Sequence, residues 1–385
     1  MSAAADVRPD KASAIGSVTD PYRVMVVEDS AVIRGFLTRI LEEDGDIAVV
    51  ASVANGKIAV GTALRHDVEV IVLDIEMPVM DGMTALELLL KQDPKVQVIM
   101  ASTLTLKNAE VSLRALSLGA ADYIPKPTSA REVGGSRDFR HMLIEKVRNL
   151  GARRRGASVV TSNIDRTIPD MVAKAREGRR GVLPILRKPS LHLPKVIAIG
   201  SSTGGPQALL ALLKQVGEGF PLPILITQHM PPTFTTILAE HISRVCQIPC
   251  AEAMDGEPIK AGSARLAPGD FHMVVEKGEP TNTLRLLQTP PENFCRPAVD
   301  PMLRSVAETY GAHALAVILT GMGQDGLKGS DEIVVAGGTV IAQDEESSVV
   351  WGMPGAVAMA GLCSAILPLQ KIPAYVHERI SGKAP

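Results

Sequence analysis

With 385 residues, 46% of them hydrophobic and 21% charged, the chain is long enough for two or three globular domains, and this balance excludes a fibrous or largely disordered polymer. Forty Lys and Arg against 42 Asp and Glu leave a net charge of −2, and aromatic residues make up 3%; both argue against a nucleic-acid binder, which needs a basic field and stacking rings. Cys246, Cys250, Cys295 and Cys363 show no paired CxxC spacing, and there is neither a signal-like N-terminus nor an apolar run of about 18 residues, so the expectation is a soluble cytoplasmic protein with reduced thiols and no membrane insertion.

Residues 1–20 are small, polar and aperiodic, a disordered lead. Arg23 to Val27 then suits a buried strand, and Ile33, Phe36, Leu37, Ile40 and Leu41 follow at helical spacing. The same step repeats as strand 47–51, helix 57–64, strand 68–73, helix 83–90, strand 98–101, helix 109–118 and strand 122–124. Strands alternating with helices predict a parallel sheet covered on both faces, filling residues 21–147. Residues 148–192 turn rich in Arg and Gly and read as a linker, with a short helix near 168–176; its basic charge suits a solvated connector or a docking segment for an acidic partner. A second α/β domain, 193–385, starts with strand 196–199, a Gly-rich turn and a helix opened by Pro206. Strand 224–227, helix 234–245 and strands 315–319 and 339–342 continue it. Segments 272–275 and 284–287, flanking a Glu-Lys-Gly-Glu-Pro turn, predict an antiparallel hairpin and so a mixed sheet.

In the first domain, polar residues fall just past successive strand ends: Glu28 and Asp29, then Asp74, Ser102 and Lys126. That edge is where open α/β sheets bind ligands. Three carboxylates converging there suit one hard octahedral cation such as Mg²⁺, and a central Asp74 could attack phosphorus while Lys126 neutralises phosphoryl oxygens. Each residue alone has a plainer role: an acid after a strand is usually a helix N-cap. The ordered set in VMVVEDS, VLDIEMPVMDGM, VIMAST and DYIPKP resembles the response-regulator receiver family over about residues 21–145. The resemblance implies a flavodoxin-like fold, with a parallel five-stranded doubly wound sheet. It implies Asp74 as phosphoacceptor, Glu28, Asp29 and Asp74 as Mg²⁺ ligands, Ser102 as switch hydroxyl and Lys126 as phosphate contact. Many members carry Asp where this chain has Glu28, and Thr103 and Thr105 lie close to the switch position.

In the second domain the turn Gly200-Ser201-Ser202-Thr203-Gly204-Gly205-Pro206 contains G-x-S-x-G centred on Ser202, a strand-to-helix turn able to present a hydroxyl; a phosphate-binding turn fits it equally well. The next strand ends at His229 and a later one at Asp325, so serine, base and orienting acid appear in the order Ser, His, Asp. His272 competes for the base and Asp344 for the acid. IGSSTGGP, ITQHMPP, LTGMGQDG and AQDEESSVVWGMP resemble the catalytic domain of chemotaxis protein-glutamate methylesterases over about residues 194–370, and receiver followed by esterase is that family's architecture. The resemblance implies Ser202 as nucleophile, His229 as base and Asp325 as its orienter, and backbone N–H groups at Thr203 and Met322 are the candidate oxyanion donors. It further implies γ-glutamyl methyl esters of chemoreceptors as substrates, methanol as product, glutamine deamidation as a companion activity, a chemotaxis histidine kinase as phosphodonor, and no cofactor for ester hydrolysis. The rival is a receiver-linked binding module whose Gly-rich turn holds a phosphorylated ligand.

Overall fold

A computed structural model describes residues 20–103, 105–126, 137–156 and 184–382. The expected N-terminal lead through residue 19 and the helix near 168–176 lie outside these residues. The first half alternates β1 (Tyr22–Val27), α1 (Ala31–Glu42), β2 (Ile47–Val53), α2 (Gly56–His66), β3 (Val70–Asp74), α3 (Gly82–Gln92), β4 (Gln97–Ser102), α4 (Leu106–Leu118), β5 (Asp122–Pro125) and α5 (Arg137–Arg154). The strands pair in parallel in the order β2-β1-β3-β4-β5. Local chemistry starts the helices: Ser30, Asn55, Asp81 and Thr105 each turn a side-chain oxygen onto the N–H three residues on, satisfying a donor the helix itself leaves open. Asp81 and Thr105 are therefore spent on capping.

Helix α5 runs past residue 147, the expected end of the domain, because arginines in and just after it have partners on the loops and strand ends of the first domain. Arg148 bonds Asp44 and Asp46 at 2.9 and 3.0 Å, Arg154 bonds Asp93 at 2.7 Å, and Arg155, just after the helix, grips Glu69 at 2.5 and 2.8 Å. Arg153 reaches Gln97 Oε1 at 3.0 Å. The start of the basic stretch read as linker thus belongs to the first domain.

The second half holds β6 (Val196–Ser201), α6 (Gly205–Val216), β7 (Ile224–Gln228), α7 (Phe234–Cys246), β8 (Cys250–Glu252), β9 (Ala264–Leu266), β10 (His272–Glu276), β11 (Thr283–Leu287), α8 (Val299–Tyr310), β12 (Ala314–Ile318), α9 (Leu327–Val335), β13 (Thr339–Gln343), α10 (Met353–Met359), β14 (Ala365–Leu367) and α11 (Ile372–Ser381). Seven strands pair in parallel in the order β14-β13-β12-β6-β7-β9-β8. The expected hairpin is present as β10 and β11, but as a separate antiparallel pair rather than an edge of the main sheet. It is fastened to α8, whose Ser305 hydroxyl accepts the Val275 N–H at 2.9 Å. Among the described residues no helix is long and apolar enough to cross a membrane.

The two halves share apolar core. One buried cluster contains Leu113, Leu116 and Tyr123 of the first domain with Leu209, Leu212, Phe234 and Leu238 of the second. The Tyr123 ring stacks on that of Phe234, with centroids 4.6 Å apart. Another cluster, holding Leu37, Leu143 and Leu150, takes in Val350, with Met322 and Val349 packed against it.

Candidate functional site

At the C-terminal edge of the first sheet, β1 delivers Glu28 and Asp29, β3 ends on Asp74, and Lys126 follows β5. Lys126 Nζ lies 2.5 Å from Asp74 Oδ1 and 2.8 Å from Glu28 Oε2. Burial lifts both carboxyls above their ordinary values. It also pulls Lys126 down, but hydrogen bonds to Asp74 and Glu28 outweigh that and hold the ammonium above its usual range. Carboxylate oxygens of Glu28, Asp29 and Asp74 come within 4.8 Å of one another, and Asp74 Oδ2 is buried with no hydrogen-bond partner among the described residues. Three carboxylates against one ammonium, one of them with an unsatisfied oxygen, fit a hard divalent cation. Ser102 stands at the same edge, but its hydroxyl is turned onto the carbonyls of Thr103 and Asn108, at 3.2 and 3.4 Å.

In the second domain, β6 ends at Ser201 and the chain turns at Ser202 before α6. Two glycines make the turn feasible. A Cβ on Gly205 would stand 1.9 Å from Gln228 Oε1, and one on Gly321 would stand 2.3 Å from Met353 Sδ and 2.9 Å from Ser202 Cβ. Gln228 locks the turn from β7: its Nε2 donates to the Ser202 carbonyl at 2.9 Å, and its Oε1 accepts from Ser201 Oγ at 2.7 Å. Ser201 is thereby structural, and Ser202 is left partly exposed with no hydrogen bond to its hydroxyl among the described residues. The Thr203 and Met322 N–H groups donate to no protein acceptor among the described residues, so both are free to meet a developing oxyanion.

His229, directly after β7, places Nε2 2.7 Å from Asp325 Oδ2. Asp325 is 1% exposed, yet five donors surround it: His229, the N–H groups of Val299, Asp300 and Gly326, and Asn293 Nδ2 at 2.9 Å. Burial would raise its carboxyl; the bond to His229 and the N–H groups at the start of α8 reverse this and hold it low. Burial pulls His229 down, but the neighbouring Cys295 sulfur and the Asp325 carboxylate outweigh it and lift the imidazole above its ordinary value. His229 Nδ1 faces Cys295 Sγ at 3.4 Å. The competitors have other work: His272 accepts the Ala298 N–H at Nδ1 and meets the Pro290 carbonyl at Nε2, while Asp344 Oδ1 binds the N–H and hydroxyl of Ser347.

Sequence reasoning passed over Gln228, Asn293, Cys295 and Asp300. Asp300 is a second buried acid, raised to about 6 by burial and by its neighbour Asp325, and tied to it by Asn293, which also donates to Asp300 Oδ2 at 3.1 Å. It missed Asp122 as well: Asp122 Oδ2 accepts the Thr203 hydroxyl at 2.6 Å across the domain boundary and pairs with Lys146. Beside it, Gln207 Nε2 donates to the carbonyls of Leu116 and Ala120. The first domain's His141 meets the ring of Phe294 on the loop that carries Asn293 and Cys295, with centroids 5.1 Å apart.

Residues 197–376 match the family described as CheB methylesterase, and residues 24–134 match the response regulator receiver domain. The protein-glutamate methylesterase/protein-glutamine glutaminase of Azospirillum brasilense is 57% identical over 373 residues, covering 95% of this chain and 94% of that protein. A protein of the same description from Rhodospirillum rubrum is 57% identical over 371 residues, 92% of this chain and 94% of its own. Among solved structures, the Thermotoga maritima CheB methylesterase catalytic domain shares 43% identity, covers 48% of this chain and 98% of its own, and superposes with a TM-score of 0.47.

Proposed function

Because the chain belongs to the family of receiver-bearing protein-glutamate methylesterases, we propose that it hydrolyses γ-glutamyl methyl esters on the cytoplasmic helices of chemoreceptors, with deamidation of receptor glutamines by the same residues, under control of phosphorylation at Asp74. The observation that carries this reading is the 2.7 Å His229–Asp325 contact at the sheet edge where β6 delivers Ser202. A phosphate-holding turn has no use for an imidazole fixed by a five-donor carboxylate.

With Nε2 held by Asp325, Nδ1 is the nitrogen left to take the Ser202 proton. Ser202 Oγ attacks the γ-carbonyl carbon, and the oxyanion is met by the N–H groups of Thr203 and Met322. Nδ1 returns the proton to the methoxy oxygen and methanol leaves. Water, deprotonated by the same nitrogen, then cleaves the acyl-enzyme and restores Ser202. A glutamine follows the same course with ammonia leaving.

In the receiver half, Glu28, Asp29 and Asp74 would hold Mg²⁺, which supplies charge neutralisation for phosphoryl transfer. Asp74 is the acceptor, and Lys126 moves from its carboxylate partners to phosphoryl oxygens. Lys126 and Asp122 flank the ends of the four-residue strand β5, and Asp122 holds Thr203, next to the nucleophile. Rearrangement at Lys126 thus has a short path to the catalytic turn. The donor is a chemotaxis histidine kinase, and the cytoplasm is the compartment this requires.

The test is methanol release from methylated chemoreceptor membranes, with and without Mg²⁺ and a small phosphodonor. Release should rise with the donor and vanish in Ser202→Ala, which should still accept phosphate; turnover by that variant refutes the assignment of Ser202.

A further inference from the structure

Imidazole has two nitrogens, and in this site both are engaged. Nε2 of His229 is bound by Asp325, and Nδ1, the nitrogen Ser202 needs, lies 3.4 Å from Cys295 Sγ. Cys295 is set apart from the other cysteines. Cys246, Cys250 and Cys363 are buried, and burial pushes their thiols up to about 11, 12 and 12, whereas Cys295 is partly exposed. Its loop is fastened on both sides: Cys295 exchanges backbone hydrogen bonds with Glu292, Arg304 grips Glu292 at 2.6 and 2.9 Å, and Arg296 binds Asp270 at 2.5 and 3.0 Å. The sulfur is therefore presented at the imidazole by a braced backbone, with a proton acceptor at hand.

Resting on the reading of His229 as base, we propose that Cys295 is a modification site for small-molecule disulfides, and that thiol–disulfide exchange there shuts off ester hydrolysis. The Cys295 proton passes to His229 Nδ1 and the thiolate attacks one sulfur of the disulfide. A Cys295 Sγ–S bond forms, the reagent's S–S bond breaks, and its second half leaves as thiolate; the cysteine is oxidised and the reagent reduced. The mixed disulfide leaves a substituent against Nδ1 where the Ser202 hydroxyl must approach. A dithiol reverses it.

The experiment treats the full chain with 5,5′-dithiobis(2-nitrobenzoate), follows thiolate release by absorbance and maps the labelled peptide. One fast equivalent should map to Cys295, at least about tenfold ahead of the buried thiols. Methyl ester hydrolysis should fall in parallel to about a tenth or less and return with dithiothreitol. Cys295→Ser should lose the fast equivalent, and its hydrolysis rate, compared only with its own untreated sample, should not respond to the reagent. His229→Gln should slow labelling near pH 7, a readout independent of any esterase assay. Failure of the base reading would show instead as methyl ester hydrolysis retained by His229→Gln. A fast equivalent on another cysteine, or full labelling of Cys295 with hydrolysis intact, overturns the proposal.

Discussion

Thr203→Val is the most informative single change at the domain boundary. It removes the hydroxyl that donates to Asp122 Oδ2 at 2.6 Å and keeps both the side-chain volume and the backbone N–H assigned to the oxyanion. Both partners are buried, Thr203 at 2% and Asp122 at 4% exposure, so solvent does little to replace the bond. A hydrogen bond to a charged group is worth roughly 1.5–3 kcal/mol. Asp122 retains Lys146 and the Tyr123 N–H as partners, so the lower end applies. If the contact helps hold the unphosphorylated receiver against the catalytic turn in a closed, less active form, a loss of about 1.5 kcal/mol shifts the balance toward an open, active form roughly tenfold. Methanol release without phosphodonor should therefore rise about tenfold, while the fully stimulated rate, reached in a form lacking this contact, should change little. A basal rate equal to that of the parent chain, with the same fold-stimulation, would remove the Thr203–Asp122 bond from the resting inhibition.

Asp325→Asn should lower turnover by roughly 10³–10⁴ without a matching rise in KM, because the amide holds His229 in the wrong tautomer; steady-state kinetics on methylated receptors decide this, and a loss under tenfold refutes it. Asp300→Asn tests the buried acid pair through stability. Its carboxyl is raised from 3.8 to about 6, so the native state binds the proton more tightly, and that contribution is complete below pH 3.8 and lost as pH rises through about 6. Between pH 4 and 7 the variant should gain on the parent chain by up to about 3 kcal/mol in denaturant titrations; parallel pH profiles would refute the shift.

Much of the site was legible because chemistry and topology coincide at strand ends. Glu28, Asp74, Lys126, Ser202 and His229 each stand at or just past the end of a short strand-like run. The arginines in and just after α5 were misread because Arg148 and Arg153 to Arg155 carry no periodicity and their partners lie 56–104 residues away. Strands β8, β9 and β14 have three residues each, too few for a pattern. Helix α8 was hidden by Pro301 in its first turn, a position that costs no hydrogen bond and yet reads as a breaker. Asn293 and Cys295 reach the His–Asp pair from a loop without regular structure, a placement no local pattern encodes.

The ring of Tyr123 laid on Phe234 bears on temperature. Apolar association weakens on cooling, since its driving force near room temperature is entropic. A boundary made of buried rings and aliphatic side chains, pinned by few polar bonds, loosens in the cold before the fold of either half does. The unphosphorylated chain should then slow less on cooling than its chemistry alone dictates, a built-in thermal bias toward demethylation.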